Sequence, residues 1–552
     1  MTMTSQPSQA QRELFCPPNS SGDDRADRTR NSMLWAAYGD ALGFISELTD
    51  EKGLKRRTKG APLDRLMDWK RRVGGRGGVE VLLPAGCWSD DTQLRMAVSR
   101  SIGNHGFDVE TFARIELPVW PSYGLGGGQA SKAAAKNLSA SGALWCANTF
   151  PGWCDAGGNG AAMRIQPHVW ASPDLEGSYL LDVITDSICT HGHPRAIVGA
   201  CFHASTLAHS LRTGAAPTLD ECGAIAANLG DALSLIKSHQ SLGGMWVGLW
   251  ERESGQQFHE IWQDTVVELC DAIDRAGTAA DAASSQTDAY RVVSDQLGLT
   301  DKRQQGSGIL TTVAAAVLAA LADNPYEASA IAANALDTDT DTIATMAGAL
   351  LGACDASAQP PEEPLDSNYL LREADRLTAI SQGHQVNNHQ YPDTLTWVAP
   401  QTQADALVTN NGRLTVEGLG PVEELDPDLS WSPRKDFAWQ WVQTDFGQTL
   451  LIKRRPELRS RKTSNTLEPP NPPHLPSTPR SPKAAKTANK ESCPPSDAPL
   501  DRGLDIDAAV NHAKKNIDDN YQLGYTLRRT ARDGSIKDLI ALVSSLRDHL
   551  RR

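Results

Sequence analysis

The stretch Asn334-Ala335-Leu336-Asp337-Thr338-Asp339-Thr340-Asp341-Thr342-Ile343, running on as Ala344-Thr345-Met346-Ala347-Gly348-Ala349-Leu350-Leu351-Gly352, decides how this chain is read. Its front half alternates acids with hydroxyls. Its back half sets Ile343, Met346, Ala347, Leu350 and Leu351 on one face at helical spacing, so a dense cluster of oxygens stands at the N-terminus of a buried helix of small residues. Carboxylates this close repel one another, and a helix dipole offers them only a partial positive charge. A divalent cation satisfies all of them together, and hard oxygen donors suit Mg, Mn or Ca better than Zn.

A second oxygen cluster lies upstream. Ser89-Asp90-Asp91-Thr92 precedes an apolar helix through Met96 and Val98; as an N-cap it is ordinary, but two adjacent acids exceed what capping needs. Further upstream, Leu34, Tyr38, Ala41 and Ile45 recur at helical spacing, with Gly39 and Gly43 allowing close approach of a neighbouring helix. Asp40 and Glu47 interrupt that face, and an acid there is costly without a partner. The basic, glycine-containing run Lys52 to Arg76 reads as an exposed loop, either a lid facing substrate or simply solvated.

Two glycine loops follow. Tyr123-Gly124-Leu125-Gly126-Gly127-Gly128 opens an Ala-rich helix and presents backbone N–H groups of the kind that suit phosphate oxygens, although such loops are common. Gly157-Gly158-Asn159-Gly160-Ala161-Ala162-Met163-Arg164 forms another tight turn that lets a ligand approach main chain. Thr190-His191-Gly192-His193 precedes another helix; taken alone, a histidine there is more often structural than catalytic. Residues 198 to 355 read as nearly all helix, so residues 30–355 are expected to form one all-α domain.

These motifs, Gly39-Asp40-Ala41-Leu42-Gly43 with Glu47, Ser89-Asp90-Asp91-Thr92, Gly158-Asn159-Gly160 with Met163-Arg164, Thr190-His191, and Asp339-Thr340-Asp341-Thr342-Ile343-Ala344 with Ala347-Gly348-Ala349, stand in the order seen in ADP-ribosylglycohydrolases. The chain resembles that family, of the dinitrogenase-reductase-activating type, over residues 30–355. The resemblance implies an orthogonal helical bundle with a binuclear Mg or Mn site that hydrolyses the bond between ADP-ribose and a modified side chain. It implies Ser89, Asp90, Asp91, Asp339, Asp341 and Thr342 as metal ligands, with Glu47 as a nearby acid that can reach metal or water; since a carboxylate held against metal-bound water can accept its proton, Glu47, with Asp90 or Asp91 as alternatives, is expected to position or deprotonate the attacking water. It further implies that Gly124, Gly126, Gly127, Gly128, Gly157, Gly158, Asn159 and Gly160 hold the diphosphate and distal ribose, with His191 beside the ligand. Ser89 stands where the family often has Thr, and Asp337-Thr338 replaces the usual glycines, with Asp337 expected just behind the ligand acids. The substrate would be an ADP-ribosylated macromolecule, with modified arginine favoured over serine or nucleic acid. A non-catalytic ADP-ribose binder or an adaptor of the same fold is the rival reading.

The rest of the 552 residues carries a formal charge of −14, which argues against a general affinity for nucleic acid or anionic membrane. The ten cysteines follow no metal or disulfide spacing, and no apolar run is long enough to span a bilayer, so a cytoplasmic protein with reduced thiols is expected. Residues 1–29 are expected to be a disordered arm. Residues 365–455, with Asn410-Asn411-Gly412 as a hairpin signal, are expected to form a small β-rich domain cored by Trp397, Trp431, Trp439 and Trp441, with strands at 394–398, 406–409, 413–416 and 437–453. A disordered, basic, Pro-rich linker (456–503) and a tail of two amphipathic helices (504–552) complete the chain; the tail must bury its stripe by self-association, by docking on the bundle or on a partner protein.

Overall fold

The computed structural model describes residues 22–139, 144–280, 285–433, 436–461, 505–517 and 520–550. The arm upstream of residue 22 and the linker over 462–504 lie outside the described residues. Helix α1 (Gly22–Ser46) is the central rod, with Met33, Ala36, Ala37, Tyr38, Leu42 and Phe44 fully buried. It starts inside the stretch 1–29 expected to be disordered. Polar anchors explain this: Arg25 donates to Ser172 O at 2.5 Å, and Arg30 pairs with Asp375 at 2.5 Å. Apolar periodicity cannot reveal such anchors.

The remaining bundle includes α2 (Asp90–Arg100), α3 (Gln129–Leu138), α4 (Pro194–Thr213), α5 (Phe258–Ala280), α6 (Gly308–Leu321), α7 (Pro325–Asn334), α8 (Thr340–Gly352) and α9 (Ser367–Ser381). The α1–α8 contact is nearly backbone on backbone. A Cβ at Gly43 would lie 2.6 Å from Asp341 Cα, and one at Gly348 would lie 2.5 Å from Trp35 O. Three hydroxyls stitch the seam: Thr340 Oγ1 donates to Gly43 O at 2.9 Å, Thr345 Oγ1 to Ala36 O at 2.6 Å, and Ser32 Oγ to Ala349 O at 2.8 Å. Small residues thus let the two helices share main-chain acceptors, and α8's N-terminus is fixed against α1.

The basic stretch expected as a loop is instead ordered. It contains a short helix, Glu51–Arg57, and strand β1 (Trp69–Val73), which pairs antiparallel with β2 (Val79–Leu83), Arg71 opposite Val81. Trp69, Val73, Val79, Val81 and Leu83 are buried, giving the period of two that marks a half-buried strand.

A second sheet follows the bundle: β3 (Leu407–Asn410), β4 (Arg413–Val416), β5 (Gly420–Glu424), β6 (Ser430–Trp431), β7 (Ala438–Thr444), β8 (Thr449–Arg454) and β9 (Ser460–Arg461). Its order is β8-β7-β5-β4-β3-β9, with β6 also on β7. Asn411 and Gly412 take φ of 51° and 82° between β3 and β4, as the hairpin signal requires. No strand forms at 394–398, and of the four tryptophans only Trp439 is buried; Trp431 is 50% exposed. Val416, Val422, Val442, Leu450 and Ile452 form the core instead. The sheet packs on the bundle through Thr449, which donates its N–H and hydroxyl to Asp366 at 2.6 and 2.7 Å, and through Gln448, which accepts from Arg100 at 2.6 Å.

A separate unit comprises residues 395–397 and the described part of 505–550. Its helices are α10 (Ile506–Lys515), α11 (Asn520–Asp533) and α12 (Ile536–Leu550), packed around Ala513, Leu542 and Leu546 with Val510, Leu523 and Leu527. The middle helix was not expected, because Gly524 and its arginines dilute the stripe. No described helix is long and apolar enough to cross a membrane, and the described cysteines are all free.

Candidate functional site

Helix starts leave N–H groups without intrahelical partners. At α2 most of that need is met from another helix. Asp40 of α1 accepts from Ser89 N at 2.9 Å, from Thr92 N at 2.9 Å and from Thr92 Oγ1 at 2.6 Å. Ser89 Oγ caps Asp91 N at 3.1 Å. Capping is therefore done by Asp40 and Ser89, which releases the carboxylates of Asp90 and Asp91 for other work.

At α8 the same economy holds. Asp339 stands at the N-cap position without capping through its side chain; its Oδ2 accepts from Asn159 Nδ2 at 2.8 Å instead. Asp341 Oδ1 accepts from Thr342 N at 3.0 Å, and Asp341 and Thr342 are both buried. Asp90 N donates to Leu125 O at 3.2 Å, and the Gly127 main chain faces the Asp90 carboxylate and eases its charge. Gly126, at φ 122°, sits so close that a side chain there would collide with Asp90 Oδ1.

Electrostatics show that these segments meet. Burial lifts Asp91 well above the carboxylate range, with Asp40, Asp90 and Asp339 adding repulsion. Burial does the same to Asp341, followed by Glu47, Asp91, Asp339 and Asp40. Asp90 is pushed up to about 7 by burial, then by Glu47 and Asp40, against the pull of Lys132. Asp339 is raised by burial, against its hydrogen bond from Asn159. Asp91 Oδ2 is buried with no hydrogen-bond partner. Ser89, Asp90, Asp91, Asp339, Asp341, Thr342 and Glu47 thus form one neighbourhood drawn from the end of α1 and the starts of α2 and α8.

Glu47 is held from two sides. Arg57 donates to Glu47 O at 2.8 Å, and Arg71 Nη2 donates to Glu47 Oε2 at 2.9 Å.

The second glycine turn is fixed from behind. Asn159 N donates to Gly306 O at 2.9 Å, Gly158 bridges Ser307, and Gly308 N donates to Gly157 O at 3.0 Å. Arg164 Nη1 donates to Gly160 O at 2.6 Å, and its Nη2 to Thr190 Oγ1 at 2.8 Å. Thr190 Oγ1 in turn bonds His191 Nδ1 at 2.7 Å. A Cβ at Gly160 would sit 3.0 Å from His191 Cε1, so ring and turn lie side by side. Burial and Arg164 lower His191 to about 3. It is a neutral hydrogen-bonding ring at pH 7.

Other predicted residues stand apart from the acids. Gly124 packs on Trp120, Gly157 faces Arg195 and His193, and Gly128 begins α3 in open space. Asp337 is exposed at φ 68°, lining a cleft of about 750 Å³ with Lys52, Lys55 and Arg56; it does not stand behind the acids expected as ligands. A cavity of about 850 Å³ reaches Thr338 from the side of Tyr290, Ser294 and Ile331.

Several residues around the site were missed in the sequence: Arg71 beside Glu47, Lys132 facing Asp90, and Arg95, whose charge faces Asp40 and Asp91. Arg71 shares a strand face with Trp69 and Val73, and Arg95 follows the paired acids by a helical turn. Those spacings were the available signals.

The donor set is oxygen throughout, crowded with negative charge and containing an orphaned buried carboxylate oxygen, and in chemistry it fits hard divalent cations. Among the described residues, no group of three or more His, Cys, Asp or Glu side chains is already set to hold an ion.

A model of the family described as ADP-ribosylglycohydrolase matches residues 21–387. A solved structure described as an ADP-ribosylglycohydrolase-related protein complex is similar at 21% identity and a TM-score of 0.42, over 65% of this chain and 99% of that one. No curated protein matches the chain.

Proposed function

The chain belongs to the ADP-ribosylglycohydrolase family and is, as such, a glycohydrolase of ADP-ribosylated substrates; we propose that it removes ADP-ribose from a modified protein side chain, arginine first, with two Mg or Mn ions. The observation that carries this reading is the gathering of Asp90, Asp91, Asp339 and Asp341 in one place, where burial and neighbouring carboxylates raise each of them and Asp91 Oδ2 is buried with no hydrogen-bond partner. A protein keeps such a cluster at a cost in stability only where positive charge is to be received. Ser89, Asp90, Asp91, Asp339, Asp341 and Thr342 would hold the cations. Because the carboxylates alone do not form a ready cage, the two hydroxyls would complete the set.

When bound, divalent cations neutralise these acids and make water acidic near neutral pH. The chain's own groups do the rest. Glu47, held by Arg71, accepts the proton of the water that attacks the anomeric carbon. The bond from that carbon to the side-chain nitrogen breaks, and the nitrogen leaves with a proton from solvent. Gly126, Gly127 and the Gly157–Gly160 turn offer main chain to the diphosphate and distal ribose, while neutral His191 adds a hydrogen bond without a charge. A surface of formal charge −14 suits a cationic guanidinium leaving group better than a polyanion.

The test is release of free ADP-ribose from arginine-, serine- and nucleic-acid-linked substrates, with Mg or Mn and with chelator. Release from the arginine adduct that is lost with chelator and in folded Asp341→Asn is expected. Equal release by parent and Asp341→Asn would overturn the proposal.

The division of the chain into an arm, a bundle, a sheet domain, a linker and a tail remains our proposal for its organisation, with the bundle running from α1 at Gly22 to α9 (Ser367–Ser381), the sheet reaching Arg461, and the tail helices offered to a partner protein or a second copy.

A further inference from the structure

The sheet of residues 407–461 follows the family match, which ends at residue 387, and it touches the β1–β2 hairpin at its tip. Ser432 Oγ donates to Gly77 O at 2.7 Å, and β6 packs on β2. Gly74, at φ 81°, lies under the Trp439 indole so closely that a Cβ would stand 2.5 Å from Cη2. The tip is thus seated on a buried tryptophan and tied by a hydrogen bond.

Three residues before Gly74, on β1, is Arg71. Its guanidinium lies 4.2 Å from the centre of the Phe44 ring and 5.8 Å from that of Trp69, and its Nη2 donates to Glu47 Oε2 at 2.9 Å. Nη1 is buried with no hydrogen-bond partner, so the two rings fix the guanidinium and its Nη2 is presented to Glu47. Glu47 has just left α1, and Leu48 after it takes φ 50°. A carboxylate on such an end, with its helix finished, keeps one direction only if something outside the helix holds it.

We infer that Arg71 is a positioning residue for Glu47, and that the C-terminal sheet sets Arg71 by seating the hairpin tip on Trp439. The inference rests on the proposed role of Glu47 for its effect on rate. Its mechanical part, the link from Trp439 through the hairpin to Glu47, stands independently. The sheet is then a support for the catalytic half of the molecule rather than a ligand-binding module. Groups that orient a reacting residue from behind typically change rate by 10–100-fold when removed, and misplacement acts on turnover more than on binding.

The experiment compares the full chain with Arg71→Met, Arg71→Lys, Trp439→Ala and Ser432→Ala, each checked for folding by circular dichroism and melting temperature. Arg71→Met is expected to lower kcat about 10–100-fold with KM little changed. Arg71→Lys should recover part of the loss, since it restores the charge without the stacking plane. Trp439→Ala should lower kcat in the parent and have no further effect on top of Arg71→Met. Hydrogen exchange gives an answer that needs no turnover. Trp439→Ala and Ser432→Ala should speed exchange at the hairpin and also over residues 45–49, whereas Arg71→Met should speed it over 45–49 alone. Faster exchange at the hairpin with 45–49 unchanged in folded Trp439→Ala would overturn the inference, as would independent, multiplying losses from Trp439→Ala and Arg71→Met. If the parent released ADP-ribose from no substrate, the proposed activity would fall while the exchange result still decided the mechanical link.

Discussion

Asn159 donates its side-chain amide to Asp339 at 2.8 Å across 180 residues of sequence. The bond joins the glycine turn to the acid segment that opens α8. Removing it frees Asp339 to move and deprives a crowded carboxylate of a donor. Asn159→Ala is expected to lower ADP-ribose release about 10–100-fold, while circular dichroism stays that of the parent. Asn159→Asp, which adds repulsion, should be worse than alanine in the same assay.

Neutralising one acid of the cluster should stabilise the metal-free protein. In chelator, Asp341→Asn keeps the shape and removes a buried charge that Asp91, Asp339, Asp40 and Glu47 repel. A gain on the order of 1–2 kcal/mol in urea unfolding is expected, together with loss of activity. A variant less stable than the parent in chelator would show that the charge is already compensated from within.

Added cation should do to the parent what the amide does to the variant. Ligand at about 100 times its dissociation constant stabilises by about 2.7 kcal/mol, so Mg or Mn should raise the melting temperature of the parent. Asp341→Asn and Asp91→Asn should show little or none of that rise. An equal rise in all three would place the cation elsewhere.

Asp366, where the sheet meets the bundle, makes a pH prediction of its own. Burial pushes it from 3.8 up to about 6, against the bonds it accepts from Thr449. A carboxyl raised on folding favours the native state while protonated. Its contribution is complete below 3.8 and disappears as pH rises through about 6. Asn accepts the same left-handed backbone, φ 60° at this position, and can bond Thr449 in both directions. The stability difference between Asp366→Asn and the parent should therefore grow in favour of the amide between pH 4 and pH 8, by on the order of 2–3 kcal/mol. A difference independent of pH would remove Asp366 as the cause.

Gly43→Ala should be among the most damaging single-methyl changes. The new carbon would meet Asp341 Cα at 2.6 Å, main chain that cannot step aside. A loss of about 3 kcal/mol or more is expected in urea unfolding. Gly244→Ala, with open space around it, is the control and should leave stability within about 0.5 kcal/mol.

The acids were legible because their signal is doubled. Asp339 and Asp341 alternate with hydroxyls and then hand over to an apolar helical period, and the adjacent acids Asp90 and Asp91, flanked by Ser89 and Thr92, likewise precede a helix. Where only one kind of signal exists, the reading failed. The first turns of α1 are held by Arg25 and Arg30 bonding to partners far along the chain, and no local pattern announces them. β1 and β2 were lost because Lys70, Arg71 and Arg72 outweigh Trp69 and Val73 in a short strand. Among Trp397, Trp431, Trp439 and Trp441, the chemistry of the side chain does not say which face of a strand it occupies, and only Trp439 turned inward. Asp40 stood out as an acid on a packed face; its work as the cap of another helix emerged only from the three-dimensional contact.

The seam between α1 and α8 has a further consequence. Gly43 against Asp341 and Gly348 against Trp35 leave no slack for one rod to slide along the other. The start of α8, and Asp341 with it, is therefore locked to the end of α1, and any adjustment of these acids must come from side-chain rotation rather than from a shift of the helices.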